Sequence, residues 1–217
     1  MTTTLASKLE AATADFYAKA PPGVPETLMA AIEDAKDKFA VPVKVIKVGE
    51  TFPSFTLPNA TGTPVSSASL LANGPLLVTF YRGNWCPYCN LALHGLQERL
   101  DEFKTQGVQL VAISPELPDA SLSTQEKNEL QFPVLSDEGN KLARELGIVW
   151  KQPDSMKPIF EKFGLDLKKQ NGDDTFEVPI PATFLVDKDG IVKNLYLEAD
   201  YRKRVEPSTL LEWIAQL

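Results

Sequence analysis

Cysteine and histidine are scarce in this chain, which has two cysteines and one histidine in 217 residues. A structural zinc site takes about four Cys or His ligands, so these three residues would need a second subunit to complete one, and we expect no metal. A secreted disulfide framework spreads its bridges over distant segments, whereas both cysteines lie in one short stretch. We therefore expect a reducing compartment and a cytoplasmic location.

Long apolar runs and an excess of basic residues are also missing. No stretch approaches the ~20 apolar residues that cross a bilayer, and the N-terminus lacks the basic start and apolar stretch of a secretory signal. The formal net charge of −7 argues against nucleic acid and anionic membranes as partners, since both bind basic patches. Composition, with 43% hydrophobic and 24% charged residues, is that of a soluble globular protein.

Two helical patterns separated by prolines open the chain. Apolar residues recur at helical spacing in each pattern, at Leu5, Leu9, Ala12 and Phe16 and then at Leu28, Ile32, Ala35 and Phe39. The break between them is Pro21-Pro22-Gly23. We predict that residues 1–45 form an N-terminal helical extension, which packs on the other helix, on the rest of the chain or on a second copy. A homodimer is therefore among the predicted partners.

Residues 46–217 are predicted to form one α/β domain, a central mixed β-sheet flanked by helices. After an edge hairpin over residues 52–64, strand and helix patterns alternate. Strands are predicted at 76–81, 108–113, 132–135, 182–186 and 191–197, and helices at 87–104, 120–130, 138–146, 155–163 and 207–217. The segment 148–180 is the least regular and includes a predicted polar loop at 168–175.

The two cysteines, Cys86 and Cys89, follow the first buried strand and begin a helix. Pro87 suits the first helical position, which makes Cys86 the predicted N-cap. The unpaired N–H groups and the positive dipole end of the helix then favour a thiolate at Cys86. Residues three apart on a helix are close enough to form a disulfide after a modest adjustment. Inert core cysteines are the alternative, and the helix-start Cys-x-x-Cys pattern argues against it.

Three neighbours of the cysteines are candidate binding residues. Trp85 and Tyr88 are expected to line the approach to the sulfurs, although both could be core aromatics. Arg82 could supply a positive charge beside the thiolate, but strand alternation leaves its direction open. His94 falls off the Cys89 face of the helix, so we expect a packed or surface histidine there rather than a base.

From Gly49 onward the chain resembles the alkyl hydroperoxide reductase and thiol-specific antioxidant family, the peroxiredoxin branch of the thioredoxin fold. The resemblance is carried by Gly49–Leu57, the Phe80-Tyr81 strand end, Val111–Ser114, Phe132–Asp137 and Phe184–Gly190. It covers about three quarters of the chain and implies a thioredoxin-like fold. The N-terminal extension lies outside it.

The active-site pattern departs from that family. Its Pro-x-x-x-Thr-x-x-Cys motif would align Arg82 with the proline, Cys86 with the threonine and Cys89 with the attacking cysteine. The arginine that assists peroxide binding would fall at Pro181. The stretch Trp85–Cys89 instead resembles thioredoxin and glutaredoxin, in which the first cysteine attacks and a cis-proline lies beside the disulfide. That resemblance implies attack by Cys86, a cis peptide bond before Pro181, and a substrate- or partner-binding role for Pro181.

The resemblance implies a thiol-dependent antioxidant enzyme that reduces hydroperoxides through a Cys86/Cys89 thiol–disulfide cycle, with thioredoxin or glutathione as reductant and no cofactor. The alternative is a thiol–disulfide oxidoreductase that acts on protein or small-molecule disulfides. A redox sensor or binding scaffold is a third class. The absence of the family's threonine and arginine favours the thiol–disulfide oxidoreductase, and the length of the family resemblance favours the hydroperoxide-reducing enzyme.

Overall fold

The computed structural model describes residues 4–40 and 44–217 of the chain. Within them, the two N-terminal helices are present as predicted, α1 over Leu5–Lys19 and α2 over Val24–Ala40. The Thr4 side chain caps α1 by accepting the N–H of Ser7. Residues 1–3 and 41–43 of the predicted extension lie outside the described part.

The remaining elements alternate in the predicted order. The strands are β1 Thr56–Pro58, β2 Pro64–Ser66, β3 Leu76–Phe80, β4 Gln109–Ser114, β5 Val134–Ser136, β6 Val149–Lys151, β7 Glu177–Pro179, β8 Ala182–Val186 and β9 Val192–Leu197. The helices are α3 Ser67–Leu71, α4 Pro87–Gln97, α5 Leu100–Thr105, α6 Pro118–Lys127, α7 Lys141–Glu145, α8 Lys157–Lys162, α9 Leu167–Asn171 and α10 Pro207–Ile214. Among the helices described, none is both long and apolar enough to cross a membrane.

Five of these strands form the central sheet, in the order β5-β4-β3-β8-β9. The pairs β3–β4 and β4–β5 are parallel, whereas β3–β8 and β8–β9 are antiparallel. Strand β3 is central and all five of its residues are buried, as its unbroken apolar sequence predicts. The predicted mixed sheet flanked by helices is confirmed.

Alternate side chains of the sheet enter two separate cores. On one face, Leu77 and Leu185 pack in a cluster with residues of α1, α4, α5 and α10. On the other face, Val78 and Phe184 pack with the segment before β1 and with α7. Both faces of β3 are therefore covered, and its C-terminal end is the point at which the chain leaves the sheet to form the cysteine loop.

The N-terminal helices pack directly on the rest of the chain. Leu5, Leu9 and Ile32 belong to the same core cluster as the cysteine helix α4. Helix α2 also contributes to a third cluster with α8, β6 and β7, where the indole N–H of Trp150 donates to Asp34 at 2.8 Å. The division into an extension over 1–45 and a domain over 46–217 stays a prediction.

Several predicted boundaries were wrong. The helix predicted over 87–104 is two helices, because Arg99 leaves the helical conformation with φ −114° and ψ 9°. Leu96, before the break, and Leu100, after it, both lie in the core. The polar loop predicted at 168–175 contains α9, which Asp166 caps by accepting the N–H of Lys169. The β6–β7 ribbon in the irregular segment was not predicted.

The cis peptide bond predicted before Pro181 is also wrong, because the bonds of the described residues are all trans. The chain runs straight from β7 into β8 here. Ile180 donates its N–H to Ile148 at 2.7 Å, and the Pro181 carbonyl accepts the N–H of Glu198. An extended trans chain satisfies these hydrogen bonds on both sides, so no reversal is needed at this position.

We expect the Ile32→Ala variant to lose about 2–5 kcal/mol of unfolding free energy, the range for truncating a fully buried aliphatic side chain, since Ile32 is 0% exposed in the shared core. Chemical denaturation should still give one transition, with circular dichroism and tryptophan fluorescence coinciding. Asp37→Ala, at an exposed position on the same helix, is the control and should change stability little. Two separate transitions would contradict a shared core.

Candidate active site

After strand β3 the chain forms a short loop that ends at Cys86, the N-cap of α4. Cys86 is extended, with φ −91° and ψ 107°, and its sulfur accepts the N–H of Cys89 at 3.3 Å. Pro87 occupies the first helical turn. The predicted capping cysteine is confirmed, and its sulfur lies at the positive end of the helix dipole.

Gly83 makes this loop possible. Its φ of +148° is in a region that side chains rarely adopt, and a Cβ there would lie 2.2 Å from the indole nitrogen of Trp85. The absence of a side chain therefore lets Trp85 fold back over its own loop.

The two sulfurs are close together and buried. Both cysteines are free thiols with 0% exposure. The Cys89 thiol donates to the Cys86 sulfur at 2.6 Å, and a disulfide of about 2.05 Å needs only a small further approach. The pair is thus arranged to form a disulfide once one sulfur is oxidised.

The side chain of Arg82 points towards Cys86, a direction that the sequence left open. Its Nη2 donates to the Cys86 sulfur at 3.2 Å. The guanidinium lies 3.7 Å from the ring centre of Tyr201 and 5.0 Å from that of Trp85, within the range of cation–π contacts. Although Arg82 is buried, its charge is balanced by a sulfur and two aromatic faces.

These contacts separate the pKa values of the two thiols. Burial opposes ionisation of Cys86, but the Cys89 hydrogen bond and the Arg82 and Arg204 charges hold its pKa well below the usual value. Burial, followed by the hydrogen bond and charge of Cys86, raises the pKa of Cys89 well above the usual value. The site therefore favours the thiolate at Cys86 and the neutral thiol at Cys89.

Arg204 is a site residue that sequence reasoning missed. Its Nη2 donates to the Cys89 sulfur at 3.3 Å, from a turn 115 residues further along the chain. Tyr201, which covers Arg82, comes from the same turn. No local motif marks either residue, so only the tertiary fold brings them to the cysteines.

Glu116 is a second residue that was missed, and it is fully buried beside the cysteine loop. Its carboxyl accepts the main-chain N–H of Asn84 at 2.9 Å, with the hydroxyls of Ser114 and Thr124 at 3.4 and 3.5 Å. Burial outweighs these hydrogen bonds and raises the pKa of Glu116 to about 7.

An apolar cavity of about 430 Å³ adjoins this site. Arg82, Trp85 and Tyr88 form one wall, and the opposite walls come from α1, α2 and the α8 region through Phe16, Tyr17, Leu28, Met156, Ile159, Phe160, Phe163 and Leu165. The predicted neighbours Trp85 and Tyr88 therefore line this cavity, together with Arg82, which contacts the Cys86 sulfur. His94 is far less enclosed, with about half of its side chain exposed.

Pro181 is buried at the start of β8 and is absent from the cavity wall. The pairing of Phe80 with Ala182 places it opposite Tyr81, at the sheet edge from which the cysteine loop departs. Its predicted binding role stays a prediction.

A mixed sheet flanked by helices, with a Cys-x-x-Cys pair capping a helix after a central strand, defines a thiol redox protein of the thioredoxin fold. The AhpC/TSA family profile matches residues 48–195, about two thirds of the chain. The chain belongs to the AhpC/TSA family.

Individual relatives agree with this assignment. The chloroplastic peroxiredoxin Q of Sedum lineare is 31% identical over 159 residues, covering 73% of this chain and 73% of that protein. Peroxiredoxin Bcp of Escherichia coli strain K12 is 26% identical over 171 residues, covering 79% and 97%. Among solved structures, peroxidoxin BcpB of Mycobacterium tuberculosis superposes with a TM-score of 0.62 at 22% identity, covering 79% of this chain and 98% of that one.

The raised pKa of Glu116 predicts a stability that falls with pH. Between the usual value of 4.5 and about 7, the folded state binds more protons than the unfolded one, so unfolding free energy declines as pH rises through this window and levels off above it. The full loss is about 3 kcal/mol.

Replacing Glu116 by Gln keeps an acceptor for the Asn84 N–H and removes the ionisation. We expect urea unfolding at pH 5 and pH 8 to show a smaller decline for Glu116→Gln than for wild type. Glu126→Gln, at an exposed carboxyl on α6, should follow wild type. An equal pH dependence in all three proteins would show that Glu116 ionises normally.

Proposed function

We propose that this member of the AhpC/TSA family is a thiol peroxidase that reduces hydroperoxides through Cys86 and Cys89. The observation that carries the proposal is a buried Cys86 sulfur that accepts a hydrogen bond from Arg82 at 3.2 Å, with the Cys89 thiol 2.6 Å away. A thiolate is the form of cysteine that attacks peroxides, and a neighbouring thiol completes the cycle without a third cysteine.

In the first step, the Cys86 thiolate attacks the terminal oxygen of the hydroperoxide. An S–O bond forms and the O–O bond breaks, which leaves a sulfenic acid on Cys86 and releases an alkoxide that takes a proton from water. Arg82 contacts the attacking sulfur and is the cation that can also stabilise the departing oxygen.

In the second step, Cys89 attacks the oxidised sulfur, the S–O bond breaks and water leaves, forming the Cys86–Cys89 disulfide. Two electrons from an external thiol such as thioredoxin or glutathione then restore the dithiol. Because both sulfurs are buried, the start of α4 has to open for this exchange.

The structure supports Cys86 rather than Cys89 as the attacking thiol. The low pKa of Cys86 and the high pKa of Cys89 agree with the thioredoxin-like motif. In the peroxiredoxin register, Cys89 would attack first, but there it would have to lose its proton beside an existing Cys86 thiolate.

A thiol–disulfide oxidoreductase is the second candidate, and the Cys-Pro-Tyr-Cys sequence favours it. A mixed disulfide with a protein substrate requires direct access to the attacking sulfur, and Cys86 has 0% exposure. Recycling by an external thiol needs this access too, after the start of α4 opens, so the two candidates differ only in the oxidising step. A hydroperoxide needs room for only two oxygens at the sulfur, so burial favours a peroxide over a protein disulfide as the oxidant.

The apolar cavity favours hydroperoxides that carry an organic group. Its wall residues are aromatic and aliphatic over most of their surface, with Arg82 at the end nearest Cys86. An organic group can bury apolar surface there while its peroxide group points towards the guanidinium. A cytoplasmic location and a homodimer stay predictions from the sequence.

The decisive test is the reaction of reduced protein with hydroperoxide, followed by tryptophan fluorescence. We expect a rate constant for wild type of ~10⁴–10⁸ M⁻¹s⁻¹, the rate of an ordinary thiol for Cys86→Ser, and for Cys89→Ser a single turnover that leaves a sulfenic acid. Loss of the fast reaction in Cys89→Ser alone would assign the attack to Cys89. An ordinary rate in wild type, with rapid exchange against disulfides, would support the oxidoreductase instead.

Filling the cavity should discriminate between peroxides. Leu28→Trp is expected to raise KM for cumene hydroperoxide roughly tenfold, equivalent to about 1.4 kcal/mol of lost apolar contact, with little change for hydrogen peroxide. Leu122→Trp, at a surface position on α6, is the matched control. Equal effects on both peroxides would show that the cavity does not bind the organic group.

A further inference from the structure

Arg204 contacts the second cysteine in the way that Arg82 contacts the first. Its Nη2 donates to the Cys89 sulfur at 3.3 Å. Its Nη1 donates to the main-chain carbonyls of Tyr201 and Lys203. The guanidinium is therefore held at one end by the turn between β9 and α10, and its other end is directed at the sulfur.

The charge of Arg204 is available to that sulfur. In the described part of the chain, no carboxylate forms an ion pair with Arg204. The nearby Asp200 is occupied by Arg202, which donates Nε and Nη2 to its two oxygens at 2.8 Å each. Because Asp200 is already paired with Arg202, the anion that Arg204 is placed to pair with is the Cys89 thiolate, once that thiolate forms.

Such a partner arises only after the first chemical step. In the reduced protein, the Cys89 thiol keeps its proton and donates a hydrogen bond to the Cys86 sulfur. Oxidation of Cys86 to a sulfenic acid removes that negative charge. Cys89 then has to lose its own proton to attack, and burial opposes the thiolate it forms.

We propose that Arg204 is a catalytic residue of the disulfide-forming step, where it stabilises the Cys89 thiolate that attacks oxidised Cys86. This role rests on the proposed peroxidase function. In the step, an S–S bond forms as the S–O bond of the sulfenic acid breaks, and the departing hydroxide takes up the proton that Cys89 has lost, giving water. Arg82 serves the attack on peroxide, and Arg204 serves the closure of the disulfide.

The two arginines can be separated by a transient kinetic experiment. Reduced wild type, Arg204→Met, Arg204→Lys and Arg82→Met are mixed with excess hydroperoxide, and the peroxide-dependent and peroxide-independent phases of tryptophan fluorescence are resolved. Trapping with dimedone and mass spectrometry measures the sulfenic acid directly. Lys203→Met removes an exposed charge from the same turn and is the matched control.

For Arg204→Met we expect a first phase within about threefold of wild type, because Arg204 contacts Cys89 and acts on Cys86 only as a more distant charge than Arg82. We expect a second phase slowed by roughly 10- to 100-fold, the range for losing a hydrogen bond to a charged group. Sulfenic acid should accumulate and be trapped. Arg204→Lys should recover part of the rate. The second phase of Arg204→Met should also accelerate with pH, by about tenfold per unit, because bulk base then ionises Cys89.

Arg82→Met should show the opposite pattern, with a slow first phase. A slow first phase in Arg204→Met, or two phases equal to wild type, would overturn the proposal. A second phase that is slow but independent of pH and not recovered by lysine would show a structural role and would also overturn it. If hydroperoxides oxidise neither wild type nor Cys89→Ser, the proposed function fails rather than the assignment of Arg204.

Discussion

A negative charge on a fully buried sulfur is the constraint on which this structure depends. The free energy of such a charge is unfavourable without compensation, and four groups provide it at Cys86: the helix N-terminus, the Cys89 thiol, Arg82 and the more distant charge of Arg204. These groups come from different levels of structure. The cap and the thiol are local, Arg82 depends on the exit of β3, and Arg204 depends on the segment between β9 and α10.

The segments outside the family match complete the site. The match ends at residue 195, yet Tyr201 covers Arg82 and Arg204 contacts Cys89. At the other end, α1 and α2 supply part of the cavity wall. At the position where the family resemblance implies an arginine this chain has Pro181, and the guanidinium groups of Arg82 and Arg204 contact the thiols. The family profile thus covers nearly all of the sheet and both cysteines, whereas Tyr201, Arg204 and part of the cavity wall lie outside the matched residues.

The sequence was sufficient for those features that are encoded locally. A buried strand followed by Cys-Pro predicts the capping cysteine, because the cap, the proline and the helix dipole all act within one turn. The alternation of strands and helices likewise predicts the sheet. The break at Arg99 could not be foreseen, because apolar residues continue at helical spacing on both sides of it, with Leu96 and Leu100 in the same core.

Tertiary contacts explain the remaining differences. The side of the strand exit on which Arg82 lies depends on Tyr201, which is far away in sequence. The conformation at Pro181 depends on hydrogen bonds from Ile180 and Glu198 to neighbouring segments, and the family analogy that suggested a cis bond contained no information about them. Glu116 and Arg204 carry no motif, so their roles follow only from the folded chain.

The burial of both sulfurs also determines the kinetic order of recycling. A reductant can meet the disulfide only in molecules whose α4 N-terminus has opened, and such local openings have their own free energy, distinct from global unfolding. At low concentration the reductant samples this open population in a pre-equilibrium, and turnover is proportional to its concentration. At high reductant concentration every opening leads to reduction of the disulfide. The turnover rate then no longer depends on the reductant concentration and equals the rate at which the first turn of α4 opens.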